Sequence, residues 1–216
     1  MIEAIIFDLD GVLLQSEEVW DAVRERYVRE RGGRYDEDVQ RAMMGMSAPE
    51  WSAYLAEDAG VPGTPDQINA DVVDLMLAAY THDLPLLPGA VDVVRRMAAA
   101  FPLALASSSN RAIFEEALRL GGIADCFQAT VSSEEVAKGK PAPDVYLEAA
   151  RRLGVAPERC TAVEDSHSGI RSAHAAGMRV VAIPNASYPP DAEALALADI
   201  VLDSLDQLTP GRVEGP

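Results

Sequence analysis

Residues 5–12 of this chain read IIFDLDGV. An apolar run is followed by two aspartates, Asp8 and Asp10, and then by Gly11. The run at residues 2–7 predicts a short, buried parallel strand, because it is rich in isoleucine and almost free of charge. Gly11 predicts a turn directly after it. Both aspartates would then lie at the carboxyl end of a strand, where open α/β sheets bind their ligands.

Two carboxylates this close repel each other unless a cation lies between them or they share a proton. Side chains two residues apart in a strand point the same way, so Asp8 and Asp10 would face the same ligand. A bound Mg²⁺ would resolve the conflict. An ordinary Asp-rich turn after a strand is the alternative, and this stretch alone leaves both interpretations open.

Composition limits what the chain can bind. Its 216 residues are enough for one α/β domain, or for a domain with a small insert. With 49% hydrophobic and 25% charged residues, the chain is globular rather than disordered. The formal net charge of −17 argues against nucleic acid and anionic membranes as partners, and an anionic substrate would need locally placed cations. The two cysteines, Cys126 and Cys160, have no metal-site or disulfide spacing.

Neither a signal peptide nor a membrane-spanning segment is indicated. The N-terminal residues lack a basic region followed by an apolar run, and no uncharged stretch reaches membrane-spanning length. We therefore expect a cytoplasmic protein that acts on a small molecule, with a monomer as the default expectation.

The residues after the first strand change character. Between about residues 16 and 83 no strand is predicted, whereas capping residues, glycine stops and apolar periodicity indicate helices. These helices are expected at residues 17–31, 36–44, 49–59 and 65–81. The pattern predicts a helical cap domain at residues 16–84, inserted into a core formed by residues 1–15 and 85–216.

From residue 85 onward, predicted helices and strands alternate. The helices are expected at residues 90–99, 111–120, 143–153 and 168–176, and the strands at 103–106, 127–131, 161–163, 179–183 and 200–202. Strands that alternate with helices of about ten residues imply parallel βαβ units. We therefore predict an α/β fold with a doubly wound, Rossmann-like parallel sheet, and a cap that lies over its carboxyl edge.

Three further polar clusters follow predicted strands, in the same position as Asp8. They are SSSN at residues 107–110, KGKPAPD at 138–144 and EDS at 164–166. Hydroxyls and N–H groups at a helix start can bind an anion, although by themselves these serines fit an ordinary helix cap better. Pro141 restricts Lys140 to extended backbone and so aims its side chain, whereas Lys138 fits a solvated loop. A helix cap explains one acid of the last cluster but not two.

A doubly wound sheet would bring these clusters to one crevice. There the chain supplies an acid pair, a hydroxyl, a lysine and a second acid pair, a set that suits a metal-assisted reaction at phosphorus. In this interpretation Asp8 and one of the last acids hold Mg²⁺, while Ser107 and Lys140 hold the phosphate. A second carboxylate is left for proton transfer.

Four segments, in order, resemble the motifs of the haloacid dehalogenase-like superfamily. Residues 8–12 resemble its first motif, and Ser107 within LASSS its second. Lys140 within KPAPD resembles the third, and residues 164–166 with the small residues that follow resemble the fourth. The resemblance covers essentially the whole chain and lies in the branch with a helical cap after the first motif, near the β-phosphoglucomutases and sugar-phosphate phosphatases.

The resemblance implies a role for each motif residue. Asp8 would be the nucleophile that forms an aspartyl-phosphate. Asp10 would protonate the leaving oxygen and then deprotonate the attacking water. Ser107, the Ser108 backbone N–H and Lys140 would neutralise the transferring phosphoryl group.

The resemblance also implies Mg²⁺ as the cofactor. Its ligands would be the Asp8 carboxylate, the Asp10 backbone carbonyl and Asp165, with Glu164 as a further ligand or a supporting residue. Asp10 also separates phosphoryl transfer from dehalogenation. The dehalogenases lack this aspartate, and a leaving alkoxide needs a proton whereas a halide does not.

Departures from the mutase pattern favour a phosphatase. The β-phosphoglucomutases carry a histidine ten residues after the second aspartate, where this chain has Trp20. They also carry an arginine after a Gly-x-Ser sequence in the cap, where this chain has Ala48 after residues 45–47. Without that cation a bisphosphate intermediate is hard to hold, so we predict hydrolysis of a small phosphomonoester. A phosphomutase and a non-catalytic phosphate-binding module remain the alternatives.

The substrate would be selected by residues that face the site from the cap and the rim. The candidates are Trp20, Gly45, Met46, Ser47 and Asn110. Packing between cap helices is the alternative for Trp20. Few cap candidates are charged, which predicts a neutral leaving group such as a sugar or polyol.

Overall fold

The computed structural model describes residues 1–43, 46–185 and 189–214, which contain a sheet of six strands. The strands are β1 (Ala4–Phe7), β2 (Leu103–Ser107), β3 (Ala129–Ser132), β4 (Cys160–Glu164), β5 (Arg179–Ala182) and β6 (Ile200–Val201). Their order is β3-β2-β1-β4-β5-β6, and every neighbouring pair is parallel. The chain therefore winds outward from β1 in both directions, and the predicted doubly wound α/β fold is confirmed.

Both faces of the sheet are buried. On β1, Ile5 and Phe7 belong to the apolar core on one face, whereas Ala4 and Ile6 belong to the core on the other. This alternation arises because successive side chains of a strand point to opposite faces. A continuously apolar strand such as β1 is stable only when helices cover both sides of the sheet.

Ten α-helices are present in the described residues. They are α1 (Glu17–Glu30), α2 (Glu37–Met43), α3 (Ala48–Glu57), α4 (Pro65–His82), α5 (Ala90–Ala98), α6 (Arg111–Leu120), α7 (Asp144–Leu153), α8 (His167–Ala175), α9 (Ala192–Leu195) and α10 (Pro210–Glu214). The short helices α9 and α10 were not predicted, and the others differ from their predicted positions only at their ends. Across the described ranges, no helix combines the length and apolar character needed to cross a membrane.

Helices α1 to α4 lie between β1 and β2 in the chain, as the sequence predicts for an insert. The two connections to the sheet run side by side, since Gln15 N–H donates to Pro85 O at 2.8 Å and Leu87 N–H donates to Leu13 O at 2.9 Å. The two ends of the insert therefore lie next to each other. The insert extends from the connection that follows β1, and β1 and β2 remain paired in the sheet.

Strand register brings the predicted polar clusters to one edge. Phe7 pairs with Val163 across β1 and β4, and Ser107 of β2 pairs with Ser132 of β3. Asp8 N–H extends the first of these ladders by donating to Val163 O at 3.0 Å. The residues that follow these strands therefore emerge together at the carboxyl edge of the sheet.

Candidate active site

Three acidic side chains and one lysine form a buried cluster at this edge. Asp8, Glu164 and Asp165 each contribute one carboxylate oxygen to a group whose members lie within 4.8 Å of one another. Lys140 Nζ lies 2.9 Å from Asp8 Oδ1 and 2.6 Å from Glu164 Oε1. None of the four residues is more than 7% exposed. The ion pairs are therefore shielded from solvent. Electrostatic interactions are stronger in the protein interior than in water.

Glu164 is saturated with hydrogen bonds. Its Oε1 accepts from Lys140 Nζ and, at 2.8 Å, from the Tyr146 hydroxyl. Its Oε2 accepts from Asp165 N–H at 3.0 Å and from the Ser166 N–H and hydroxyl at 3.2 and 3.0 Å. Glu164 thus ties Lys140 to the start of α8, and few of its lone pairs remain for a metal ion.

Burial controls the electrostatics of the cluster. Burial, helped by the charges of Glu164 and Asp10 and opposed by Lys140, raises the pKa of Asp8 to about 8. Burial and the neighbouring carboxylates also hold the pKa of Asp165 well above its ordinary value. Burial alone would lower the pKa of Lys140, but Asp8 and Glu164 outweigh it and raise that pKa. The acids of the cluster thus outnumber the cations, a condition that a bound metal ion would relieve.

Asp10 has different partners from Asp8. Its Oδ1 accepts from the Ser16 hydroxyl at 2.5 Å, and its Oδ2 accepts from the Ser109 and Ser107 hydroxyls at 2.7 and 3.4 Å. Asp8 therefore faces a lysine, whereas the carboxylate of Asp10 is held by hydroxyl groups. The spacing of the two aspartates in the sequence could not reveal this difference.

The serine cluster contributes a residue that sequence reasoning missed. Ser107 is fully buried, and its hydroxyl accepts from Ser109 N–H at 3.0 Å. Ser108 and Ser109 line the cavity above the acid cluster, whereas Ser107 is not among the lining residues in the described ranges. Ser109 was overlooked because nothing in a run of three serines shows which hydroxyl reaches Asp10.

A cavity of about 780 Å³ lies between this edge of the sheet and the helices of the insert. Asp8, Asp10, Lys140 and Asp165 line its floor. Its cap wall includes Trp20, Arg24, Tyr35, Gln40, Met43, Met46 and Trp51. A cavity of this size suits a small organic molecule.

The residues predicted to face the substrate from the cap lie in different environments. Trp20 and Met46 line the cavity. Ser47 instead caps α3, where its N–H and hydroxyl both donate to Glu50 Oε2, at 2.7 and 2.6 Å, and it is not among the lining residues that the structure describes. Gly45 lies outside the described residues.

Asn110 lines the cavity and also connects the core to the insert. Its Nδ2 donates to Asn69 Oδ1 of α4 at 3.1 Å and to Glu134 Oε1 at 2.7 Å. A second connection joins Asn185 Nδ2 to Glu17 Oε1 at 3.1 Å. These polar contacts hold the insert over the carboxyl edge of the sheet.

The sequence matches the haloacid dehalogenase-like hydrolases over residues 2–177. The chain belongs to this family. The prediction from the four motifs is confirmed, and the protein is a hydrolase with the helical insert that the branch near the β-phosphoglucomutases and sugar-phosphate phosphatases carries.

Relatives of this hydrolase match it over nearly its whole length. The chain is 34% identical over 203 residues to the bifunctional riboflavin kinase/FMN phosphatase of Arabidopsis thaliana, covering 93% of this chain and 53% of that protein, or about half its length. It is 32% identical over 214 residues to hexitol phosphatase B of Escherichia coli strain K12, with 96% and 95% covered. The crystal structure of CbbY from Rhodobacter sphaeroides in complex with phosphate has a TM-score of 0.85 and 30% identity, covering 96% of each chain.

The acid cluster of this hydrolase fits a hard divalent cation. Asp165 Oδ1 is buried and has no hydrogen-bond partner within the described residues. An unpaired buried carboxylate oxygen is costly, and carboxylates are the ligands that Mg²⁺ prefers. Gly11 leaves room for this arrangement, because a Cβ at that position would lie 1.9 Å from Asp165 Oδ2.

Arg24 is the cap residue that sequence reasoning missed. We expected a neutral leaving group because few candidate residues of the cap are charged. Arg24 lines the cavity, so this reason no longer holds. On the same helix Arg26 and Arg29 form ion pairs with acids at the surface. Residue type alone could not show which arginine of α1 points into the cavity.

Gly169 is required where α8 passes Glu164, since a Cβ on it would lie 1.7 Å from Glu164 Oε1. We expect Gly169→Ala to lower the free energy of unfolding by about 1–3 kcal/mol, the usual cost of overpacking. This loss would appear although alanine is intrinsically favoured over glycine in helices by about 1 kcal/mol. Urea unfolding followed by circular dichroism measures the change.

The matched control is Gly211→Ala in α10, where nothing lies within 4 Å of an added Cβ. This variant should be as stable as the wild type or more so. If Gly169→Ala were as stable as the wild type, α8 would not pack against Glu164 as closely as described.

Proposed function

We propose that this hydrolase is a Mg²⁺-dependent phosphatase that cleaves a small phosphomonoester through an aspartyl-phosphate. The observation that carries the proposal is that the carboxylates of the two aspartates have different surroundings. Asp8 lies 2.9 Å from Lys140 in the buried cluster, whereas the hydroxyls of Ser16 and Ser109 hold the Asp10 carboxylate. A nucleophile and an acid–base catalyst need such different surroundings.

The reaction would proceed in two displacements at phosphorus. In the first, an Asp8 oxygen attacks phosphorus, the ester P–O bond breaks, and Asp10 gives a proton to the leaving oxygen. In the second, Asp10 takes a proton from a water molecule as that water attacks phosphorus. Inorganic phosphate leaves, and the Asp8 carboxylate is restored. Because three serine hydroxyls hold Asp10, its carboxyl is already oriented for both proton transfers.

Lys140, Ser107 and the Ser108 N–H would bind the phosphoryl group. The two carboxylates beside Lys140 raise its pKa, so the ammonium keeps its charge. Glu164 fixes the lysine at 2.6 Å. A cation fixed before the reaction starts stabilises the transition state without reorganisation.

The carboxylates of Asp8 and Asp165, with the Asp10 backbone carbonyl, would hold Mg²⁺. Glu164, whose oxygens are already hydrogen-bonded, would support Lys140 and the Asp165 backbone instead. When bound, the cation neutralises negative charge that gathers on the phosphoryl oxygens.

We assign residues 16–84 to a cap domain and residues 1–15 with 85–216 to the catalytic core. The cap would exclude bulk water from the aspartyl-phosphate and select the leaving group. Tyr35 and Gln40 on the cavity wall suit the hydroxyls of a sugar or polyol. The name of the Escherichia coli relative, hexitol phosphatase B, supports the same substrate class.

Magnesium should be required for turnover and should bind without substrate. We expect phosphate release from a panel of phosphomonoesters with Mg²⁺ and none with EDTA. Mg²⁺ alone should raise the Tm of the wild type, because a ligand that binds the folded state stabilises it. Asp165→Asn should lose most of this rise, since the variant lacks a carboxylate ligand.

The control for this experiment is Asp58→Asn, a change at an exposed acid of the insert that should keep the full Mg²⁺ effect. Hydrolysis that is unaffected by EDTA would refute the role of the metal. A wild type that hydrolyses no phosphomonoester would refute the proposed function itself.

A further inference from the structure

Arg24 lies in the cap wall of the cavity, against two tryptophan rings. Its guanidinium carbon is 4.5 Å from the centroid of the Trp20 ring and 4.8 Å from that of Trp51. The two rings contact each other with their centroids 6.2 Å apart. Cation–π attraction to both rings holds the guanidinium in place. A guanidinium can contact aromatic rings and still bind an anion through its N–H donors.

Arg24 has no ion-pair partner among the described residues, and its Nε is buried without a hydrogen-bond acceptor there. Asp10 and Asp21 are close enough to favour its charge, but one oxygen of Asp21 already accepts from the Tyr35 hydroxyl at 2.6 Å. Burial lowers the pKa of Arg24 to about 10, which still leaves it charged at neutral pH.

The charge of Arg24 is thus poorly compensated in a chain that carries a formal net charge of −17. Arg24 is half-buried, and a partly desolvated charge without a close partner is destabilising. An anion that enters the cavity would offset this cost. Arg24 and Asp8 line the same cavity, so a single small molecule can reach both.

We propose that Arg24 binds a second anionic group, a carboxylate or a second phosphate, on the leaving-group half of the substrate. This inference rests on the proposed phosphatase function and narrows its substrate to a phosphomonoester with two anionic groups. Lys140 serves the phosphate that reacts, and Arg24 serves the other anion. A guanidinium binds either anion through paired N–H donors, whereas a neutral sugar leaves those donors without an anionic partner.

Three related compounds test the proposal. Glucose 6-phosphate has a neutral leaving group, 6-phosphogluconate adds a carboxylate, and glucose 1,6-bisphosphate adds a second phosphate. We expect wild-type kcat/KM to be higher for at least one of the two doubly anionic compounds than for glucose 6-phosphate. The compound that is preferred identifies the second group as carboxylate or phosphate.

Arg24→Met should remove this preference. For the preferred compound we expect kcat/KM to fall about 10- to 100-fold. This is the decrease expected when one charge-assisted hydrogen bond to the substrate is lost. The loss should appear mainly in KM, since Arg24 contacts a part of the substrate that does not react. The kcat/KM for glucose 6-phosphate should change little. Arg24→Lys, which keeps the charge but not the paired donors, should fall between the wild type and Arg24→Met.

The matched control is Arg26→Met, an exposed arginine of the same helix, which should leave all three values unchanged. An equal loss for all three compounds in Arg24→Met would mean that Arg24 only packs the cap, and would overturn the proposal. A wild type that prefers glucose 6-phosphate would overturn it as well.

Binding measurements separate this proposal from the proposed function. The three compounds are titrated into the Asp8→Asn enzyme, with and without Arg24→Met, by calorimetry in Mg²⁺. If the wild type hydrolyses no phosphomonoester of the wider panel, the phosphatase function fails. Weaker binding of a doubly anionic compound in the Arg24→Met variant would still support the anion site. Equal binding with and without Arg24→Met would overturn the proposed anion site.

Discussion

Asp8→Asn is expected to abolish turnover while the protein stays folded. The amide cannot attack phosphorus, and the loss of a nucleophile typically costs at least about 10³-fold in kcat. Folding should be retained because burial and the neighbouring acids already raise the pKa of Asp8. A neutral side chain of the same shape relieves repulsion from Glu164 and Asp165, which offsets the lost attraction to Lys140. Phosphate release and urea unfolding measure the two effects separately.

The covalent intermediate provides a second measurement on the same variant. Wild type that is acid-quenched during turnover should carry one added phosphoryl group by mass spectrometry, and Asp8→Asn should carry none. Asp10→Asn should still be phosphorylated by p-nitrophenyl phosphate, whose leaving group needs little protonation, and should lose the group slowly. Asp58→Asn serves as the exposed control and should behave as wild type. Substantial turnover by Asp8→Asn would rule out the proposed mechanism.

Lys140→Met is expected to cause the largest loss of stability. The Lys140 side chain is 2% exposed and pairs with Asp8 and Glu164, whose side chains are 9% and 0% exposed. Removing one partner of a buried ion pair costs about 3–5 kcal/mol, because the remaining charge is left without compensation. Urea unfolding should show a lower midpoint than wild type, and saturating Mg²⁺ should restore part of the difference by supplying a cation beside Asp8.

Lys138→Met is the matched control, because Lys138 is exposed two residues earlier in the same loop. If Lys140→Met fails to fold, the double variant Lys140→Met with Glu164→Gln should recover folding, since both members of one pair then lose their charge. The coupling energy between the two changes follows from a double-mutant cycle. An unchanged unfolding midpoint for Lys140→Met would contradict the idea that this lysine is needed to hold the buried acids.

Much of the fold could be predicted from local patterns. Short apolar runs bounded by glycine and proline are enough to indicate buried strands. Capping residues and glycine stops located the helices to within their end turns, as the capping interaction of Thr64 with Gln67 N–H at 3.3 Å illustrates. The order of the strands was not predicted, because the rules for parallel βαβ connections fix the handedness of a crossover and not which strands become neighbours. The short helices α9 and α10 were missed because so few residues show no clear periodicity.

The candidate site could be predicted to the level of its motifs. Asp8, Asp10, Lys140 and Asp165 were selected because residues that follow parallel strands meet at one edge, and they line one cavity. Their roles in catalysis, the monomeric state and the cytoplasmic location remain predictions. Ser47 shows the limit of the method, because the same serine fits a substrate contact and a helix cap until its bond to Glu50 is seen.

The sequence by itself determined the sheet, the helical insert and the gathering of acids, hydroxyls and lysine at one edge. Strand and helix formation depend on residues close together in the chain, so local patterns carry that information. The tertiary structure decided the partners of each group: the hydroxyls on Asp10, the saturation of Glu164, and Arg24 against Trp20 and Trp51. These contacts depend on how distant segments pack, and packing selects one rotamer and one neighbour from many that the residue types allow.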